Sequence, residues 1–153
     1  MATPLIEDSI DIAADPEAVW SVVSDLKRMS EWSPQCVRQI VLGGDVRLGT
    51  RTINVNRRGP MFWPTTAKVV AFEPARQIAF RVTENHTVWS FAITPTDTGV
   101  TLTEKREAKD GKTTAVSRIG IDKLLGGEET FESELREGIR ETLGKIKRAS
   151  EQA

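Results

Sequence analysis

The chain has 153 residues, with 21 Lys and Arg against 22 Asp and Glu and a net charge of -1; that length favours one domain with one core, and that balance gives no overall attraction to nucleic acid or anionic membrane. Hydrophobic residues at 39% and charged residues at 28% are a soluble globular composition, neither disordered nor fibrous. The N-terminal MATPLIEDSID lacks a basic flank and a long apolar run, no window approaches the ~20 apolar residues of a membrane span, and Cys36 is the only cysteine. A cytoplasmic chain with no membrane insertion, no internal disulfide and no cysteine metal cluster is therefore expected.

Leu5 to Ile12 alternates loosely through Ile6, Ile10 and Ile12 and reads as a first strand. Asp15-Pro16-Glu17 supplies an N-cap residue, a proline at the first helical position and an acid in the first turn, so a helix begins there. Val19, Trp20, Val23 and Leu26 mark its buried face, and its end falls near 25–27. Arg28 to Trp32 reads as a second short helix, stopped by Ser33-Pro34 because proline pushes the preceding residue out of helical geometry.

From Cys36 to Glu107 the period changes to two. Strands are predicted at Cys36–Leu42, Gly49–Arg57, Thr65–Phe72, Gln77–Val82, Thr87–Thr94 and Gly99–Glu107, separated by short turn-rich connections that imply antiparallel pairing. Lys109 to Gly127 is less defined; Val116 to Leu125 reads as a candidate short helix, and Gly126-Gly127 as a break. Glu128 to Ala149 then carries Phe131, Leu135, Ile139, Leu143 and Ile146 at steps of four, four, four and three, one face of a long α-helix. Glu128 and Glu129 suit its N-terminus and Lys145, Lys147 and Arg148 its C-terminus.

A sheet of seven antiparallel strands has one face to bury, and so does the long helix. Their meeting gives an α+β domain in which the sheet curls around the helix, a geometry that leaves a cavity for a small apolar ligand.

Ile12-Ala13-Ala14-Asp15-Pro16-Glu17-Ala18-Val19-Trp20, Leu26, Glu31-Trp32-Ser33-Pro34, Phe72-Glu73-Pro74, Trp89, Gly99-Val100-Thr101-Leu102-Thr103-Glu104 and Leu143-Gly144-Lys145-Ile146-Lys147 resemble the SRPBCC superfamily, over essentially the whole chain. Within it they are closest to the polyketide cyclase/dehydrase group, related to the START lipid-transfer domains and the birch-pollen-allergen helix-grip fold. The resemblance implies one START-like domain over 1–153: a helix-grip fold, its seven-stranded curved antiparallel sheet wrapped around a long C-terminal helix, with two short helices between strands 1 and 2. Its implied roles range from lipid carriage to cyclisation. The stretches Gly59 to Thr66 and Lys109 to Gly127 match no motif of that group.

If Trp89, Phe91 and Ile93 point inward, alternation sends His86 outward, which argues against a catalytic histidine. Cys36 reads as a small buried thiol rather than a nucleophile, and one His with one Cys gives no metal-ligand cluster, so neither metal nor other cofactor is expected. Val100, Leu102, Glu104 and Arg106 share one strand face, and Arg51, Ile53, Val55 and Arg57 share another. Should both point inward, Glu104 and an arginine would orient a polar group on a ligand or act in acid/base chemistry, with Glu104 and Arg106 as the catalytic candidates. The plainer alternative puts these charges at strand ends as a structural bridge. Trp32 and the Met61-Phe62-Trp63 connection place large aromatics on loops, either covering a ligand or plugging the end of the sheet. The residues expected at the ligand are Trp32, Arg51, Ile53, Val55, Phe62, Trp63, Trp89, Phe91, Leu102, Glu104, Phe131, Leu135 and Ile139.

Three functions follow. The first is binding, transport or sequestration of an apolar small molecule such as a lipid or polyketide-like compound. The second is a cyclase/dehydrase-type enzyme that gains rate by holding a flexible chain folded. The third is a protein-interaction role, such as the toxin of a toxin–antitoxin pair. A monomer is the default for a grip closed around one helix.

Overall fold

The computed structural model describes residues 5–84, 86–108 and 128–152, with side chains from 133 onward in the last segment. Strand β1 (Leu5–Ile12) leads into α1 (Pro16–Val23), a 3-10 turn at Leu26–Arg28 and α2 (Met29–Trp32). Six strands follow: β2 (Cys36–Leu42), β3 (Arg51–Arg58), β4 (Met61–Glu73), β5 (Gln77–Val82), β6 (Thr87–Thr96) and β7 (Gly99–Ala108). Helix α3 (Glu128–Glu151) comes last.

All seven strands form one antiparallel sheet in the order β1-β7-β6-β5-β4-β3-β2. Every neighbouring pair from β2 to β7 is sequential, and only β1 travels, crossing the domain to pair with β7. Two irregularities bend the sheet, one between Cys36 and Arg38 on β2 and one between Val69 and Ala71 on β4. An extra residue in one strand of a pair increases local twist and curl. The sheet thus forms a trough, and α3 lies in it.

Local chemistry explains the element ends. Pro16 opens α1 with its φ preset, while the Asp15 backbone carbonyl accepts the first helical bond from Val19 at 3.2 Å. The Asp15 side chain makes no capping bond, so the expected N-cap works through backbone geometry and proline alone. Between β3 and β4 the chain reverses at Gly59, whose φ of 58° is left-handed backbone that glycine adopts without steric cost. Beta4 begins at Met61 rather than Thr65, so Phe62 and Trp63 belong to a strand and not to a loop. The predicted helix at Val116 to Leu125 lies outside the described residues.

The core is one cluster. Leu135, Ile139, Leu143 and Ile146 of α3 pack with Ile6 and Ile12 of β1, Val19, Val23 and Leu26 beneath α1, and Ile78, Phe91, Val100 and Leu102 of the sheet. Each such side chain contributes about 1.5–3 kcal/mol by leaving water. Trp20 sits at the cluster's margin, its ring edge-on to Phe72 at 5.2 Å and 68°. The helix is also tied at both ends: Arg58 of β3 holds Glu134 through bonds of 2.6 and 3.0 Å, and Lys147 donates to the Asp11 carbonyl at 2.8 Å.

Where β7 starts, the backbone of Gly99 passes so close to β1 that a Cβ there would stand 2.0 Å from the Ile12 carbonyl oxygen. Both sides of that contact are backbone, so neither yields cheaply. Gly99→Ala is expected to destabilise the protein by about 1–3 kcal/mol, the usual cost of overpacking. Urea unfolding followed by tryptophan fluorescence measures it, and a midpoint equal to wild type would contradict this reading of the β1–β7 crossing.

Candidate functional site

Between the inner face of the sheet and α3 lies a cavity of about 150 Å³. Met29 of α2, Ser33 and Gln35 beyond it and Leu135 of α3 form one side; inward residues of β2 to β7 form the rest. The lining divides by chemistry. Trp63, Phe80, Trp89 and Phe91 make an aromatic wall, Gln39, Asn54, Asn56 and Thr65 a polar one, and Glu104 and Arg106 stand on β7.

Strand register explains the division. Asn54 pairs with Thr65 and Asn56 with Trp63 across the β3–β4 hairpin, so even positions of β3 share a face with odd positions of β4. Ala67 and Val69 are buried on that face of β4, which makes it the inner one. Therefore Thr52, Asn54 and Asn56 point inward, and Arg51, Ile53, Val55 and Arg57 point outward. The expectation that Arg51, Ile53 and Val55 line the cavity is corrected by this hairpin register, and so is the pairing of Glu104 with Arg51 or Arg57. Phe62 is likewise corrected: it is 61% exposed on the outer face, with the Arg57 guanidinium 5.7 Å from its ring centre.

Other expectations divide the same way. Trp63, Trp89, Phe91, Glu104 and Leu135 come together at the cavity, with Arg106 beside them. Leu102 and Ile139 face inward but are fully packed in the core, away from the cavity wall. Trp32 is also core, buried at the end of α2 with Arg28 stacked 4.7 Å over its ring, so it neither covers the cavity nor lies on a loop. The Phe131 side chain lies outside the described residues. His86 is exposed on the turn before β6, where its Nδ1 meets Arg81 at 2.8 Å.

The polar wall is a connected network. Gln39 Nε2 donates to Thr52 Oγ1 at 3.4 Å, and the Thr52 hydroxyl donates to Asn54 Oδ1 at 3.0 Å. Asn54 Nδ2 donates to Thr65 Oγ1 at 3.3 Å. Asn56 Nδ2 reaches the same oxygen at 2.9 Å and the Trp63 carbonyl at 3.2 Å. Sequence reasoning missed Gln39, Asn54, Asn56 and Thr65 because it placed the apolar residues of β3 inside. The two-residue turn at Gly59-Pro60 fixes the parity of the hairpin, which sets Asn54 and Asn56 on one face with Thr65 and Trp63.

Two titratable groups at the cavity are shifted by burial. Glu104 is 5% exposed and its Oε1 has no hydrogen-bond partner. Removal from water holds its carboxyl well above the ordinary carboxylate value, so the neutral acid is the favoured form. Arg106 is buried two residues further along the same face and has an interaction of its own. The Cys36 thiol is pushed up to about 11 by burial, opposed only by a weaker backbone hydrogen bond at Arg38. At pH 8 its alkylation by iodoacetamide is expected to be about a hundredfold slower than that of a free thiol, because thiolate is the reacting form. Mass spectrometry of timed aliquots, with and without denaturant, checks this; equal rates would refute it. Among the described residues, no group of His, Cys, Asp and Glu is placed to hold a metal ion, and no helix is long and apolar enough to cross a membrane.

A curved seven-stranded antiparallel sheet gripping a C-terminal helix, with its cavity between them, is the helix-grip architecture. The chain belongs to the family described as polyketide cyclase / dehydrase and lipid transport, whose pattern matches residues 3–151. It is 32% identical to a polyketide-cyclase-like protein of Corynebacterium glutamicum, with 94% of this chain and 89% of that one covered and a TM-score of 0.61. The ZhuI aromatase/cyclase of a Streptomyces species shares the fold at 18% identity, 97% and 93% coverage and a TM-score of 0.77. A Deinococcus radiodurans protein does so at 15% identity, 97% and 98% coverage and a TM-score of 0.68. No curated protein matches the chain.

Proposed function

We propose that this protein binds a small molecule in the cavity between its sheet and α3, as a carrier or sequestering protein. The observation that carries this reading is the pair of buried polar atoms left without partners at the cavity, Gln39 Oε1 and Glu104 Oε1. An orphaned buried acceptor costs about 1–3 kcal/mol, a cost that a stable fold tolerates where a ligand relieves it. The family to which the chain belongs, with cyclases and lipid transporters among its members, supports the same reading.

A cyclase/dehydrase-type enzyme is the second reading, and Glu104 is the observation that favours it. A carboxyl kept protonated in a cavity is able to donate a proton or a hydrogen bond to a ligand carbonyl, the role of a general acid. Native mass spectrometry of the purified protein, followed by organic extraction, tests for a small molecule that travels with it. A bound mass makes binding primary and supplies a substrate for turnover assays with Glu104→Gln. An empty protein that also fails to bind both apolar and hydroxylated aromatic probes would end both readings and leave the protein-interaction role.

A further inference from the structure

The cavity constrains the kind of molecule it takes by size, wall chemistry and the hydrogen-bonding groups left over. At about 150 Å³ it matches the space in which a protein interior accepts a single benzene-sized ring. The cavity is half-open, so a guest larger than one ring extends from its mouth. Its apolar lining is mainly aromatic, with Trp63, Trp89 and Phe91 presenting ring faces and edges to a planar guest.

The unmatched polar groups supply the second constraint. Thr52 has one hydroxyl proton, and that proton goes to Asn54 Oδ1. Thr52 Oγ1 therefore only accepts from Gln39, which turns the Gln39 amide nitrogen toward Thr52 and leaves its oxygen without a partner. Gln39 is 5% exposed, so water does not freely supply what is missing. A neutral hydrogen-bond donor on the guest satisfies this oxygen. A carboxylate, an acceptor only, leaves this oxygen unpaired.

We propose that the cavity takes an uncharged, hydroxylated single-ring or two-ring aromatic of the phenol class, and that Gln39 is its specificity-determining residue through a bond from the guest hydroxyl to Oε1. This inference rests on the binding role proposed above and narrows it: guests that give Gln39 no donor, fatty acids and plain hydrocarbons among them, bind more weakly.

The test is a titration of the full chain with 1-naphthol, resorcinol, toluene and decanoate, followed by tryptophan fluorescence and by calorimetry. The expected result is saturable binding of the two hydroxylated compounds, with decanoate at least about tenfold weaker than 1-naphthol. Gln39→Leu, which keeps the side chain's bulk and removes the acceptor, is expected to weaken 1-naphthol at least about tenfold while leaving toluene unchanged or tighter. Gln39→Met serves the same purpose should the leucine variant not fold. Decanoate binding as tightly as 1-naphthol would overturn the inference and leave the binding role standing. Equal loss of toluene and 1-naphthol in both variants would also overturn it, because a merely structural Gln39 would act on every guest alike. If no compound binds and the purified protein carries none, the binding role falls and this inference with it.

Discussion

Glu104→Gln is expected to stabilise the protein near neutral pH and to remove a downward slope from its stability above about pH 4.5. In the folded chain, burial holds the Glu104 carboxyl well above its ordinary value of 4.5, so it keeps its proton where the unfolded chain has lost it. Over that window the folded state binds more protons than the unfolded state, and stability falls as pH rises, by up to about 1.4 kcal/mol per pH unit for one group. The favourable contribution is complete below the unfolded-state value and is lost progressively as pH climbs toward the folded-state value. Glutamine has nothing to ionise, so the variant lacks the slope. Glu151, the other carboxyl with a shifted value among the described residues, is lowered by Lys147 and acts at the acid end; it is present in both proteins and cancels in the comparison. Thermal unfolding of both proteins from pH 4.5 to 7.5 measures the effect, at about 2–4 °C per kcal/mol for a chain of this size. Parallel melting curves across the range would mean that the carboxyl has a charge partner or a route to water.

The same residue shows how far sequence alone reached. The elements were legible because their signals were local: β1, β2 and β5 fall at the limits that alternation and turn residues set, and α3 follows from apolar residues at steps of four and three. Beta7 was legible as a face, since Val100, Leu102, Glu104 and Arg106 are all buried. Beta3 was not. Its Ile53 and Val55 are the apolar partners of Thr52, Asn54 and Asn56, and the ordinary rule puts the apolar set inside. Here the inner face is polar because it lines a cavity instead of filling a core, and its amides satisfy one another through Thr52 and Thr65. Hydrophobic pattern thus misreads a strand where the chain lines a cavity instead of packing a core. Trp32 and Phe62 failed for a different reason. Both read as loop residues in the sequence, whereas Trp32 ends α2 and is buried in the core, and Phe62 lies in β4, where its pairing with Arg57 turns it outward.

Phe91→Ala is expected to cost about 3–5 kcal/mol, the largest loss of any single change at the cavity wall. Phe91 is 1% exposed on β6 and belongs both to the core cluster and to the cavity lining. Its ring is the partition between the two. Removing it joins the cavity to space that the core had filled, so the lining loses contacts on one side and the void grows beyond its present ~150 Å³. The melting temperature is expected to drop by roughly 6–20 °C, and the urea midpoint to fall with little change in slope. A second readout separates cavity formation from general damage. Benzene or indole, matched to the missing ring, is expected to raise the melting temperature of the variant more than that of wild type, because a ligand stabilises only the state that binds it. A loss below 1 kcal/mol, or no difference in rescue, would place Phe91 outside the partition. The fold and the cavity then stand or fall together at this residue: the packing that places β6 in the core also sets the size of the cavity.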